Sequence, residues 1–138
     1  MTTTATAAPG ELWQLRYRGE NLGLALVAVV ADGYALVWPV SGPADPVSRP
    51  AVRATGPDGE PVFLWPSRET GVDPALLRHR LGRVLDPETV AALADAIDDG
   101  TQPPLPFAPD PAPEAAAAAQ VYSLALIERW ARIGDLRP

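Results

Sequence analysis

The chain has 138 residues, 47% of them hydrophobic, with a net charge of −6 and a mean hydropathy of +0.01. That fits one ordinary domain plus appendages, and neither a disordered chain nor a membrane protein. It has no cysteine and a single histidine, His79, which excludes disulfides, thiol chemistry and thiolate or His-rich metal sites and argues against a Ser-His-Asp triad.

The opening MTTTATAAPG has neither a basic region nor an apolar stretch, so no signal peptide is expected, and residues 1–9 read as a disordered tail. ELWQLRYR at 11–18 sets Leu12, Gln14, Arg16 and Arg18 against Trp13, Leu15 and Tyr17, the alternation of a strand with one buried face. LGLALVAVV and YALVWPV follow, joined at Asp32-Gly33, a strong hairpin signal because tight primed turns need positive φ. Both runs are apolar at nearly every position and are therefore expected at the centre of a sheet. The apolar run 22–31 is too short for a bilayer span of about 20 residues, so a cytoplasmic protein without a membrane partner is expected.

SGPADPVSRP at 41–50 is loop by composition, and AVRAT, GPDGE and PVFLWP form a second hairpin. Both LVWP and FLWP end in Trp-Pro. Since proline cannot donate to a ladder, Pro39 and Pro66 are expected to mark where two neighbouring strands leave one sheet, with Ser41 and Ser67–Gly71 along a common rim. RHRLGRVL then leads into DPETVAALADAIDDG, where Asp86, Pro87, Glu88 and Gly100 supply N-cap, first-turn and stop signals for a helix over 86–99. Its apolar stripe is Val90, Leu93, Ala94 and Ile97. Residues 101–113, with six prolines, read as an extended linker. A second helix is expected over 114–134, ended by Gly134; Val121, Tyr122, Leu124, Leu126, Ile127, Trp130 and Ile133 cover so wide an arc that it should pack on its own domain and on a second chain.

The expected fold is mainly β with C-terminal helices: a small SH3-like barrel over 10–100 carrying the capped helix, then the linker and the appended helix. The order of pieces resembles the MazF/PemK-like (CcdB-like fold) toxin family over roughly residues 10–98. GELWQLR is similar to that family's opening strand and LALVAVV with YALVWPVS to its central hairpin. VFLWPSRETGVDPALLRHRLGRVLDPETVAAL is similar to its closing strand, loop, strand and helix; LGRVLDPETVAAL is the most specific part.

The resemblance implies metal-independent cleavage of single-stranded RNA, in which the ribose 2′-OH attacks the neighbouring phosphate while an arginine and a hydroxyl stabilise an anionic phosphorane. Ser41 occupies the hydroxyl's place. The family's Arg-Pro pair is replaced by Asn21-Leu22-Gly23-Leu24, and Arg18, three residues earlier, is the substitute candidate. The resemblance also implies a homodimer, an antitoxin-like partner, and contact of RNA or that partner with Arg68, Glu69 and Thr70. Arg78, Arg80 and Arg83 with His79 form the basic concentration of the chain and read as a phosphate-tracking patch.

Plainer readings stand beside these: Ser41 as a turn serine, Arg68 and Glu69 as a solvated pair, Arg78 and Arg80 as the wet face of a strand, and Trp13, Trp38 and Trp65 as core rather than base-stacking platforms. Two functions follow. One is a MazF/PemK-like endoribonuclease with weakened or lost catalysis. The other is a non-catalytic interaction module using the same barrel, assembled through its C-terminal helix. The acidic linker 101–114 is expected to cover the basic groove of its own or a partner subunit.

Overall fold

The computed structural model describes residues 7–136, with side chains to residue 133. Seven antiparallel strands, β1 (Glu11–Tyr17), β2 (Glu20–Ala31), β3 (Tyr34–Ser41), β4 (Val52–Thr55), β5 (Pro61–Leu64), β6 (Thr70–Val72) and β7 (Leu77–Arg83), precede α1 (Pro87–Asp99) and α2 (Pro113–Leu136). The strand order is β4-β5-β3-β2-β1-β7, with β6 also paired to β3. Asp32-Gly33 makes the β2–β3 turn, Gly33 at φ +83° between the paired residues Ala31 and Tyr34.

The central hairpin lacks polar alternation because both of its faces are buried. On one face Leu12, Leu26, Ala28, Trp38 and Val40 pack with β4, β5 and the α1 residues Val90 and Leu93. On the other, Trp13, Leu15, Ala25, Val27, Ala35 and Val37 pack with Trp130 and Ile133 of α2. Trp13, Trp38 and Trp65 are all core residues, as the plainer reading had it. α1 has the expected ends: the Asp86 side chain accepts from the Thr89 N–H at 2.8 Å, and Gly100 closes the helix in the left-handed region. Ala96 joins Val90 and Leu93 on its buried stripe.

Three expectations are corrected. First, the sheet is not a closed barrel, because β4 and β7 do not pair with each other. The free edge of β4 is taken by the proline-rich linker: the Arg53 N–H donates to the Pro106 carbonyl and the Ala108 N–H to the Ala51 carbonyl, both at 2.8 Å. The two ends of the sheet meet only by contact, where a Cβ added to Gly82 would come within 2.8 Å of the Pro57 ring. Second, Pro39 does not end its strand, since β3 runs on to Ser41. Its carbonyl accepts from the Trp65 N–H at 3.0 Å, so the missing donor of the same residue faces the break where β3 passes from β6 to β5, and no ladder bond is lost. Third, Gly134 does not stop α2, which continues to Leu136; a glycine inside a helix costs only about 1 kcal/mol.

Of the expected tail, residues 1–6 lie outside the described residues. Residues 7–9 are held in place: Ala7 packs under the α2 face and the Ala8 N–H donates to Glu11 at 2.8 Å. Gly10 then threads the chain between two layers. Its N–H donates to the Val27 carbonyl at 2.8 Å, and its own carbonyl accepts from Val84 and Leu85. Among the described residues no helix is long and apolar enough to cross a membrane.

Candidate functional site

The two Trp-Pro stretches meet, the Trp65 N–H donating to the Pro39 carbonyl. But β3 and β5 are antiparallel, so the segments that follow them leave in opposite directions: Ser41 lies beside Phe63 and Thr70 beside Val37, and the expected common rim does not form. Ser41 is fully buried; its hydroxyl donates to the Pro46 carbonyl at 2.9 Å and accepts from the Trp65 indole at 3.0 Å. Both hydrogen-bonding capacities are used inside the protein, which leaves nothing to offer a phosphate. Arg18 is elsewhere. Ser41 lies across from Gly23, one step past the Leu24–Val40 pair, whereas Arg18 sits in the turn between Tyr17 and Glu20. Three strand steps of about 3.3 Å separate Gly23 from Glu20, and the turn that carries Arg18 lies beyond Glu20, so the two positions are more than about 10 Å apart along the sheet. The structure therefore does not bring the expected hydroxyl and arginine together.

Arg68 and Thr70 are half-buried and Glu69 is exposed, and each has a partner within the chain. Arg68 donates to Gln120 Oε1 at 2.8 Å and Ser123 Oγ at 3.4 Å, and Gln120 Nε2 donates to Ser48 Oγ and the Arg49 carbonyl. Glu69 accepts from the Trp38 indole at 3.0 Å, and Thr70 pairs with Val37 in β6. Of these three, Arg68 is the one whose side chain is taken by α2 of the same chain. Tyr122, beside them, has its pKa pushed up to about 12 by burial and by the Asp45 carboxylate to which it is hydrogen-bonded, so it stays a neutral donor there.

The exposed chemistry lies at the other end of the sheet. β7 is an edge strand paired only with β1, so Arg78, His79, Arg80 and Arg83 are all exposed, and the alternation expected of them is absent. Pairing of Gln14 with His79 and Leu15 with Leu77 brings the start of β7 against the β1–β2 turn. There Arg16, Arg18, Gly19, Arg78 and His79 line a cleft of about 320 Å³. Arg16 is fixed by donating to the Gln14 side chain and the Gly19 carbonyl, each at 3.3 Å. Arg18 lies over the Tyr17 ring at 5.2 Å from its centroid. Among the described residues no carboxylate pairs with Arg16, Arg18 or Arg78. Three uncompensated guanidiniums around one concavity form an anion-binding geometry.

Arg16 is the member that sequence reasoning passed over. The available signal was its place beside Arg18 on the polar side of the first strand, next to the turn. Arg80 belongs to a different arrangement: its Nε donates to Glu11 Oε2 at 2.7 Å, and Glu11 Oε1 accepts from the Trp13 indole at 3.1 Å. Burial alone would raise the Glu11 pKa, but the bonds from Arg80, Ala8 and Trp13 outweigh it and hold the carboxyl below the ordinary glutamate range. A depressed carboxylate contributes stability that is complete above its unfolded pKa and is lost as pH falls through the folded value. Glu11→Gln is thus expected to lower stability by about 1–2 kcal/mol at neutral pH, with the gap to wild type closing below about pH 4.5. Urea titrations across pH 3–7 check this; a gap independent of pH contradicts it.

Among the described residues no three metal-ligating side chains gather to hold an ion. No family model, curated protein or solved structure matches the chain.

Proposed function

We propose that this protein is a phosphate-binding module for single-stranded RNA, working in the cytoplasm, built on a divergent and unclosed version of the MazF/PemK-like fold. The observation that carries this reading is the cleft of Arg16, Arg18, Arg78 and His79, which has no carboxylate among its lining residues although the whole chain carries −6. A local cationic concavity on an acidic body selects short, flexible polyanions over long duplexes, because distant phosphates of a long duplex would meet repulsion. The locked hydroxyl of Ser41 favours binding without the family's cleavage chemistry.

A second reading rests on His79. A titratable imidazole beside three arginines could pass a proton between the 2′-OH and the leaving oxygen, and positioned acid-base catalysis contributes about 10²–10⁴-fold. That would be a slow endoribonuclease whose residues differ from the Ser41–Arg18 pair.

One experiment separates these readings. A fluorescent hexaribonucleotide is titrated with the full chain at 50 and 200 mM salt, and its integrity is followed for hours. Two to three phosphate contacts predict a loss of about tenfold in affinity across that salt range. Arg16→Ala with Arg78→Ala should weaken binding at least about tenfold. Cleavage abolished by His79→Ala with binding retained would establish the slow nuclease. Binding that ignores the arginine pair would remove the cleft from the reading.

A further inference from the structure

Helix α2 carries two seams. The inner one, Ala119, Ser123, Leu126, Trp130 and Ile133, advances by four, three, four and three residues and packs on the protein's own sheet and loops. The outer one, Glu114, Ala118, Val121, Ala125, Glu128 and Arg132, advances by four, three, four, three and four, and every member is exposed. Both have the spacing of a coiled-coil interface. At 3.6 residues per turn, Val121 and Ser123 point to opposite sides of the helix, so docking on the sheet leaves the outer seam bare. Val121 is 66% exposed, and Leu124 flanks it, also exposed.

We infer that this outer seam pairs with the same seam of a second copy of the chain, in antiparallel orientation. The charges choose both the occupant and the direction. Glu114 and Arg132 stand 18 residues apart, five full turns, and thus on one face. In an antiparallel pair with a twofold axis at position 123, Glu114 meets the partner's Arg132 at both ends, and Val121 meets the partner's Ala125 in the middle. In a parallel pair Glu114, Glu128 and Arg132 would each face its own like charge, which is destabilising. Neither Glu114 nor Arg132 has an ion pair among the described residues, whereas the neighbouring Arg129 is taken by Glu20. Ala118 and Ala125 are small enough to let two helix axes approach closely, and a twofold contact of one patch with itself closes without forming filaments. A contact of five helical turns is small beside specific interfaces in general, so the dimer is expected to be a weak one.

Sedimentation of the full chain over a range from about 1 to 300 μM tests this. The expected result is a concentration-dependent rise from 14.6 kDa toward twice that mass. Val121→Glu, at an exposed position, should abolish the rise while leaving thermal melting unchanged. Arg132→Glu should weaken association about tenfold by turning two attractions into two repulsions. Adding Glu114→Arg to it should restore association to near wild type, which only the antiparallel register allows. This reversal keeps the test decisive even if Val121→Glu disturbs folding. A chain monomeric throughout overturns the inference, and so does a dimer indifferent to Val121→Glu or unrestored by the double exchange.

Discussion

Trp130→Ala is expected to lower the stability of the protein by about 3–5 kcal/mol, the range for truncating a buried large aromatic. Trp130 is 1% exposed and sits among Leu15, Leu22, Leu126 and Ile133. Its indole N–H donates to the Leu22 carbonyl at 2.8 Å, so truncation leaves both a cavity and a buried acceptor without its donor. The effect reaches beyond one side chain because α2 covers one whole face of the β2–β3 hairpin. A helix loosened there exposes Ala25, Val27, Ala35 and Val37, which were apolar for the sake of that cover. Urea unfolding followed by far-ultraviolet circular dichroism measures the loss. Trp130→Phe, which keeps most of the ring but not the donor, should cost about 1–2 kcal/mol. A loss under about 1 kcal/mol for the alanine variant would mean that α2 is not docked in solution.

Gly10→Ala should be at least as damaging, with an expected loss above about 3 kcal/mol. Gly10 lies at φ +90°, where an L side chain is strained by about 1–3 kcal/mol. Its added Cβ would fall 1.9 Å from the Leu85 carbonyl oxygen, a backbone atom that no rotamer change can move. Relief requires breaking the hydrogen bonds that join Gly10 to Val27, Val84 and Leu85. Those bonds tie the start of β1 to the segment entering α1, so the variant should expose the α1 face of the core. Gly33→Ala is the control: it has a similar φ, +83°, but open space around it, and strain alone should act there. Comparing the two urea midpoints separates clash from strain, and equal losses would contradict the threading described for Gly10.

The first three strands, the Asp-Gly turn and the capped helix were legible in the sequence because each rests on local rules: apolar runs, positive φ, and Asp86 before Pro87. The uninterrupted apolarity of 22–31 and 34–40 correctly placed that hairpin at the centre. Sheet closure was not legible, because it depends on what occupies the β4 edge, and that is a distant segment in sequence, Pro106–Ala108 beside Ala51–Arg53. The site was misjudged for a related reason. A serine, an arginine and a glutamate after a buried strand read the same whether they face solvent or are held by Trp65, by α2 and by Trp38 in turn, and only tertiary placement decides between these. Arg16 was visible but unselected, since nothing local shows that the turn at Arg18 lies against the start of β7.

The linker's hold on β4 also bears on how the protein avoids aggregation. The Arg53–Pro106 and Ala108–Ala51 bonds satisfy the edge of β4 with a segment that can recruit no strand of its own: Pro103, Pro104, Pro106 and Pro109 have no N–H to donate. At the opposite end, Arg78, Arg80 and Arg83 line β7, so two such edges approaching one another bring like charges together. A sheet with so apolar a middle is thus shielded at both margins from templating fibrils, one by missing donors and the other by repulsion.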